Sequence, residues 1–258
     1  MKFITAITLG LIFFSTNVRP TFDHDHQQWA QVLKGHLSWH GDQSLVDYET
    51  LKKDPSTLNQ YLVTLSRVTT SKYKQFSRKQ KLAFLINSYN AFTLKLIITN
   101  YPLKSIKDIG NFLSGPWDKD FITLLGKKVN LNNIEHDMIR KDFKEPRIHF
   151  AVNCASMGCP NLSEKPFRAA DLDEHLESMT QKFMQDKSKN FYNSKKKRLF
   201  LSKIFKWYGD DFEKHYTGGL DNFLSQHLGE SDQEKRLIKQ GKVSKKSLAY
   251  DWSLNDAK

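Results

Sequence analysis

Two cysteines, Cys154 and Cys159, are the only thiols among the 258 residues, and they lie five residues apart in a loop of small side chains. Cys154 follows the apolar stretch 148–152, which predicts a buried strand, and functional groups are common where such elements end. A nearby imidazole or helix N-terminus can lower the pKa of a thiol and make it a nucleophile. Cys154 is therefore the candidate nucleophile, attacking the carbonyl of an amide or an ester.

Two histidines are candidate bases for that thiol. His149 lies five residues before Cys154. On a regular strand, two residues at that spacing point to opposite faces of the sheet. The pattern therefore favours His136 as the base, with Glu135 or Asp251 orienting its imidazole.

Three asparagines are candidate substrate-binding residues. Asn87 and Asn90 lie on one side of the helix predicted over residues 78–100, and Asn153 precedes Cys154. Buried amides need hydrogen-bond partners. These side chains therefore either brace neighbouring loops or line a site, where Asn153 or Asn87 would hold an oxyanion.

A disulfide between Cys154 and Cys159 is the competing interpretation. It would be chemically natural in an exported protein, and Gly158 and Pro160 suit a tight loop. A redox role is a further alternative. Two cysteines and two histidines could also bind a metal, but their spacing matches no standard ligand pattern. We expect no metal and no cofactor.

The sequence carries none of several familiar catalytic patterns. Gly-x-Ser-x-Gly, a Gly-rich phosphate loop and His-Glu-x-x-His do not occur, which argues against an α/β-hydrolase, a nucleotide enzyme and a common zinc protease.

The chain is basic, with 40 Lys and Arg against 28 Asp and Glu and a formal net charge of +12. Much of this charge falls in residues 182–206 and 235–246. No nucleic-acid-binding motif accompanies it, so we expect no nucleic-acid partner. The charge indicates a solvated basic face or attraction to an anionic surface, such as an envelope polymer.

The first twenty residues predict an export signal. Lys2 precedes an apolar run over residues 3–14, and polar residues follow at 15–17. That run is too short to cross a bilayer of about 30 Å. We expect cleavage between residues 15 and 22, and a mature protein that works in the periplasm or the external medium.

The remaining residues, 21–258, predict a single α+β domain in which a buried central helix packs with several helices against a small sheet of short hairpins. Residues 229–246 are expected to be a mobile basic segment. The other predicted elements are helices at 22–38, 54–65, 78–100, 132–143, 171–183, 202–215 and 220–228, hairpins at 117–131 and 191–201, a strand at 148–152, and a docked end at 247–255.

Four segments resemble, in order, motifs of the family called domain of unknown function 547. The resemblance covers most of the chain from about residue 25 to 255. The segments are Phe84–Ala91, which fits aromatic-x-x-Asn-x-Tyr-Asn-Ala, Ile134–His136, His149–Pro160 and Tyr250–Asn255. Leu85 stands where the family often has an aromatic residue. Plant members resemble this chain at Cys154 but tend to have serine at the position of Cys159. The resemblance thus implies a role for Cys154 beyond a disulfide, while the family name states no activity.

Two functions remain open from the sequence. The first is an exported cysteine hydrolase or acyl transferase that acts on a peptide or an envelope component. The second is a secreted module without catalysis, in which the cysteines form a structural disulfide and the basic residues bind an anionic envelope polymer or a partner protein. The sequence predicts neither the substrate nor the oligomeric state.

Overall fold

The computed structural model describes residues 21–110 and 114–258, so the predicted export signal lies outside the described residues. The α-helices are α1 (Gln27–His36), α2 (Tyr48–Lys53), α3 (Ser56–Ser66), α4 (Thr70–Lys74), α5 (Arg78–Asn100), α6 (Lys141–Phe143), α7 (Leu172–Gln185), α8 (Ile204–His215), α9 (Gly219–Leu228) and α10 (Asp232–Lys239). A π-helix spans Asn133–Arg140, and 3-10 helices span Ile106–Asp108, Pro116–Asp118 and Pro146–Phe150. The strands are β1 (Leu37–His40), β2 (Gln43–Val46), β3 (Ile122–Leu124), β4 (Lys127–Val129), β5 (Phe191–Asn193), β6 (Arg198–Leu201) and β7 (Ser244–Ser247).

Helix α5 is the predicted buried central helix. Ser77 begins it with a capping box, in which Ser77 Oγ accepts from the Gln80 amide and Gln80 Oε1 accepts from the Ser77 amide. Its side chains are apolar nearly all round, and it packs against α2, α3 and the π-helix. The helix is long and apolar enough to cross a membrane, but 89% of the apolar window is buried inside the protein. Its apolar side chains thus form part of the protein's hydrophobic core.

The strands form small sheets of short hairpins, which confirms the predicted α+β class. β1 pairs with β2 and β3 with β4, each antiparallel. β6 lies between antiparallel β5 and parallel β7. In the β3–β4 turn, Leu125 and Gly126 have φ of 53° and 77°, and such positive values suit the twist of a two-residue hairpin.

Residues 229–246 form regular structure where a mobile segment was expected. Ser231 and Glu234 make a capping box that begins α10, and Ile238 on that helix is fully buried. Val243 is also buried, and β7 then pairs with β6. The many charged residues of this segment suggested mobility, but a lysine-rich helix can still bury a narrow apolar stripe. Ile238 and Val243 are the apolar residues that pack against the core here.

The predicted strand at 148–152 is wrong, since a 3-10 helix occupies Pro146–Phe150. The Glu145 carboxylate caps this helix by accepting from the Arg147 amide at 3.1 Å, and Pro146 suits its first position. His149 is therefore free of the alternation that a strand would impose.

A cluster of phenylalanines brings α8 against that 3-10 helix. Phe150 packs beside Phe183 of α7, Phe212 of α8 and Phe223 of α9, with ring centroids 5.0–5.9 Å apart. This packing places Asp211, the neighbour of Phe212, beside His149.

Two buried histidines are expected to make the fold sensitive to acid. His26 Nδ1 lies 2.7 Å from the Tyr61 hydroxyl, and His175 Nε2 lies 2.8 Å from Ser163 Oγ. Burial lowers the pKa of each histidine to about 4. The unfolded chain takes up protons below about pH 6.5 and the folded chain does so only near pH 4, so stability falls as the pH decreases through that window.

We expect each of these histidines to remove about 1–2 kcal/mol from the unfolding free energy between pH 7.5 and pH 5. Urea unfolding at the two pH values measures the loss. A His175→Gln protein should show a shallower pH dependence than the unaltered protein. Equal unfolding free energies at pH 7.5 and pH 5 would contradict the assignment of these rings as buried and neutral.

Candidate functional site

Asparagine amides hold the loop that carries the cysteines. Asn90 donates from Nδ2 to the Ala151 carbonyl and accepts at Oδ1 from the Asn153 amide, both at 2.9 Å. Asn153 in turn accepts from the Ala155 amide at 2.8 Å and donates to the Pro160 carbonyl at 2.7 Å. The central helix thereby fixes both ends of this loop.

Asn87 makes the same kind of contact one turn earlier on α5. Its amide pairs with both the N–H and the carbonyl of Phe167, at 3.0 and 2.8 Å. All three asparagines predicted to bind substrate are buried, and their amides are committed to backbone groups. Asn90 and Asn153 position the cysteine loop, and Asn87 positions the backbone at Phe167. Their amides are therefore not free to bind an oxyanion.

Cys154 and Cys159 are joined as a disulfide. Cys154 is partly exposed and Cys159 is 2% exposed. Three donors reach the Cys159 sulfur: the Cys154 amide at 2.9 Å, the Tyr250 hydroxyl at 3.2 Å and the Ser156 hydroxyl at 3.5 Å. The same two hydroxyls lie 3.3 Å from the Cys154 sulfur.

The C-terminal segment, residues 250–256, packs directly on the disulfide loop, residues 154–159. The Gly158 amide donates to the Asp251 carbonyl at 2.8 Å, and the Met157 amide donates to the Ser253 carbonyl at 2.9 Å. The predicted docking of the chain end is thus confirmed. Asp251 contributes to the site through its backbone, since its carboxylate accepts from Ser253.

A cavity of about 380 Å³ lies beside the disulfide. Cys154, Glu135, His136 and His149 all contribute to its walls. The structure thus brings together Cys154, the predicted nucleophile, and His136, the predicted base, with its neighbour Glu135. It also places His149 there, which the predicted strand had disfavoured as the base. The aromatic lining residues are Tyr89, Trp117, Trp207, Tyr208, Tyr250 and Trp252.

The π-helix supplies the acidic side of the cavity. Such helices are rare and are frequently found at functional sites. Glu135 is 5% exposed and is hydrogen-bonded to the hydroxyls of Tyr89 and Tyr208. Burial and the Glu135 charge raise the pKa of both tyrosines, so the two hydroxyls stay protonated and donate to that carboxylate.

The neighbour of His136 determines which ring nitrogen can carry a proton. Its Nδ1 lies 3.1 Å from Arg140 Nη1. A guanidinium only donates, so His136 Nδ1 accepts and the ring proton lies on Nε2. In this arrangement His136 is a hydrogen-bond donor through Nε2 and cannot accept a proton there.

His149 has the complementary arrangement. Its Nε2 lies 2.7 Å from Asp211 Oδ2, and its ring stacks on Tyr208 with centroids 3.9 Å apart. Burial lowers the pKa of His149, which keeps the imidazole neutral with Nε2–H directed at Asp211. Its Nδ1 is buried and has no hydrogen-bond partner within the described ranges. A buried nitrogen without a partner, on a residue that lines a cavity, is able to accept a hydrogen bond or a proton.

Asp211 is the positioning residue that the sequence did not reveal. Arg140 donates two hydrogen bonds to its carboxylate, from Nε to Oδ2 at 2.7 Å and from Nη2 to Oδ1 at 2.9 Å. Burial alone would raise the pKa of Asp211, but the hydrogen bonds from His149 and Arg140 outweigh it and hold that pKa well below the usual range. Arg140 thereby links the two histidines through one carboxylate.

Among residues 21–110 and 114–258, no group of three or more His, Cys, Asp or Glu side chains is arranged to hold a metal ion. The candidate site is thus built from a sulfur pair, two histidines and aromatic walls.

Comparison with known proteins agrees with the resemblance of the motifs. No curated protein and no solved structure matches the chain. One family model matches residues 73–184, a stretch that includes Glu135, His136, His149 and Cys154 but ends before Asp211. Over those residues the chain is similar to the family described as Protein of unknown function, DUF547.

Proposed function

We propose that the cavity is the active site of a thiol hydrolase or acyl transferase, with Cys154 as the nucleophile for an amide or ester carbonyl. One observation carries this proposal: Cys154 shares the cavity with a histidine whose Nε2 is fixed by Asp211 and whose Nδ1 is buried and unpaired in the described structure. A nucleophile and an oriented base are the two parts that covalent acyl transfer requires.

The proposed reaction proceeds through a thioester. His149 Nδ1 takes the proton of the Cys154 thiol, and the sulfur attacks the carbonyl carbon. The imidazolium, stabilised by Asp211, returns the proton to the leaving amine or alkoxide. Water or a second nucleophile then attacks the thioester, which frees Cys154 and gives hydrolysis or transfer.

His136 has the proton needed to stabilise the oxyanion of this reaction. Its Nε2–H is available because Arg140 occupies Nδ1. An N–H donor directed at the position of an oxyanion stabilises the developing negative charge. We therefore propose His136 as the oxyanion donor, with His149 taking the role of base that the sequence suggested for His136.

The joined form of the cysteines has no thiol to attack with, so the proposed enzyme is the reduced form. A Cys159→Ser protein should mimic it, because Cys154 then has no partner. We expect this protein to form an acetyl adduct on Cys154 when it is mixed with p-nitrophenyl acetate, and mass spectrometry of the digest identifies the site. A Cys154→Ser, Cys159→Ser protein is the matched control. Acetylation that is equal in the two proteins would refute the nucleophile.

A non-catalytic binding module is the second candidate, and the closed disulfide together with a basic sheet favours it. All four residues of β7 are exposed, including Lys245 and Lys246, and they lie beside the lysine-rich turn 195–197 between β5 and β6. We propose an anionic envelope polymer as its ligand, outside the cytoplasm. Salt-sensitive retention on an anionic glycan, combined with no acetyl adduct, would favour this function over the enzyme.

A further inference from the structure

We infer that the Cys154–Cys159 disulfide is exchange-active: a small thiol opens it by attacking Cys154, and Cys159 leaves as a thiolate. This exchange does not depend on the proposed carbonyl chemistry. Only its consequence, the release of Cys154 as a nucleophile, rests on the proposed function.

The two sulfurs differ in how an external thiol can reach them. Both cysteines border the cavity, but Cys154 is partly exposed and Cys159 is 2% exposed. Access and the leaving group together decide which sulfur of a disulfide is attacked. The Cys154 sulfur is thus the one that an external thiol attacks, and the buried Cys159 sulfur is the leaving group.

The surroundings of Cys159 fit a leaving thiolate. The Cys154 amide lies 2.9 Å from the Cys159 sulfur. The Tyr250 and Ser156 hydroxyls lie 3.2 and 3.5 Å from it, and each is also 3.3 Å from the Cys154 sulfur, so either can donate to Cys159 once the two sulfurs separate. Burial raises the pKa of Tyr250 to about 12, so this hydroxyl keeps its proton. Hydrogen bonds to the charged form lower the pKa of a thiol, and a thiol of lower pKa leaves faster.

The exchange balances with two thiols, such as glutathione, as the reductant. The first thiolate bonds to Cys154 Sγ, the Cys154–Cys159 bond breaks, and Cys159 takes the electron pair. A second thiolate attacks the glutathione sulfur of the mixed disulfide and releases Cys154 as a thiolate. The products are oxidised glutathione and two protein thiols, and the reverse steps close the pair again.

The test is a redox titration of the folded protein in glutathione buffers, with alkylation and mass spectrometry to count free thiols. We expect two thiols to appear within minutes at millimolar glutathione. Tyr250→Phe removes one donor but keeps the ring, so the pair should need about tenfold more reducing buffer at its midpoint. Tyr192→Phe on β5 is the matched control and should leave the midpoint unchanged.

Single-cysteine proteins test the direction of attack. Oxidised glutathione should form a mixed disulfide with Cys154 in the Cys159→Ser protein, and much more slowly with Cys159 in the Cys154→Ser protein. A pair that opens only after urea unfolds the chain would overturn the inference, as would equal midpoints for Tyr250→Phe and Tyr192→Phe. Neither result would affect acetylation of Cys154 in the Cys159→Ser protein, so the two proposals can fail separately.

Discussion

A Cys159→Ser protein that also carries His149→Asn is expected to acetylate Cys154 from p-nitrophenyl acetate about a hundredfold more slowly than the Cys159→Ser protein. The substitution removes the Nδ1 lone pair, which is buried and unpaired in the described residues. It also removes the imidazolium that Asp211 would stabilise. The initial rate of nitrophenolate release, with the adduct confirmed by mass spectrometry, measures the effect.

His215→Asn is the matched control for this prediction, because His215 is exposed at the end of α8. Its acetylation rate should equal that of the parent Cys159→Ser protein. If His136→Asn abolishes acetylation and His149→Asn does not, then His136 is the base, as the spacing in the sequence suggested. Circular dichroism of each protein distinguishes lost chemistry from lost folding.

Replacing Gly158 by alanine is expected to lower the unfolding free energy by about 2–4 kcal/mol. A Cβ at this position would lie 2.9 Å from the Asp251 carbonyl oxygen and 3.0 Å from its amide nitrogen. These are backbone atoms, so the C-terminal segment must move away. It would then lose the Gly158–Asp251 and Met157–Ser253 hydrogen bonds and part of the burial of Leu254.

Gly35→Ala provides the control for this substitution. A Cβ on Gly35 meets no atom within 4 Å, and the residue is exposed within α1. Alanine there should stabilise the protein by up to about 1 kcal/mol, because glycine is a poor helix former. Urea unfolding compares the two proteins. A Gly158→Ala protein as stable as the unaltered chain would show that the C-terminal segment is not packed against the disulfide loop.

The parts of the fold with strong local signals could be predicted from the sequence. Ser77 and Gln80 form a capping box before a long apolar run, so the position and burial of α5 followed from residues within that segment. The hairpins at 117–131 and 191–201 likewise have turn residues between apolar strands. In each case local propensity and tertiary packing favour the same structure.

The candidate site could be predicted only in part. A short apolar run is compatible with either a strand or a helical turn. Predicting a strand at 148–152 placed His149 on the face opposite Cys154, and His136 was therefore favoured as the base. Asp211 lies 62 residues after His149, and no local pattern connects them. Only the packing of α8 against the 3-10 helix brings the two together. The role of His136 depends on Arg140 Nη1, a contact that spacing alone does not determine.

The pH dependence of Cys154 alkylation in the Cys159→Ser protein tests the central claim most directly. Thiolate formed by transfer of a proton to His149 should keep iodoacetamide reactivity half-maximal at least about two pH units below the ordinary thiol value of about 8.5. Adding His149→Asn should return that midpoint to the ordinary value. A midpoint near 8.5 in the Cys159→Ser protein itself would contradict an activated nucleophile in this cavity.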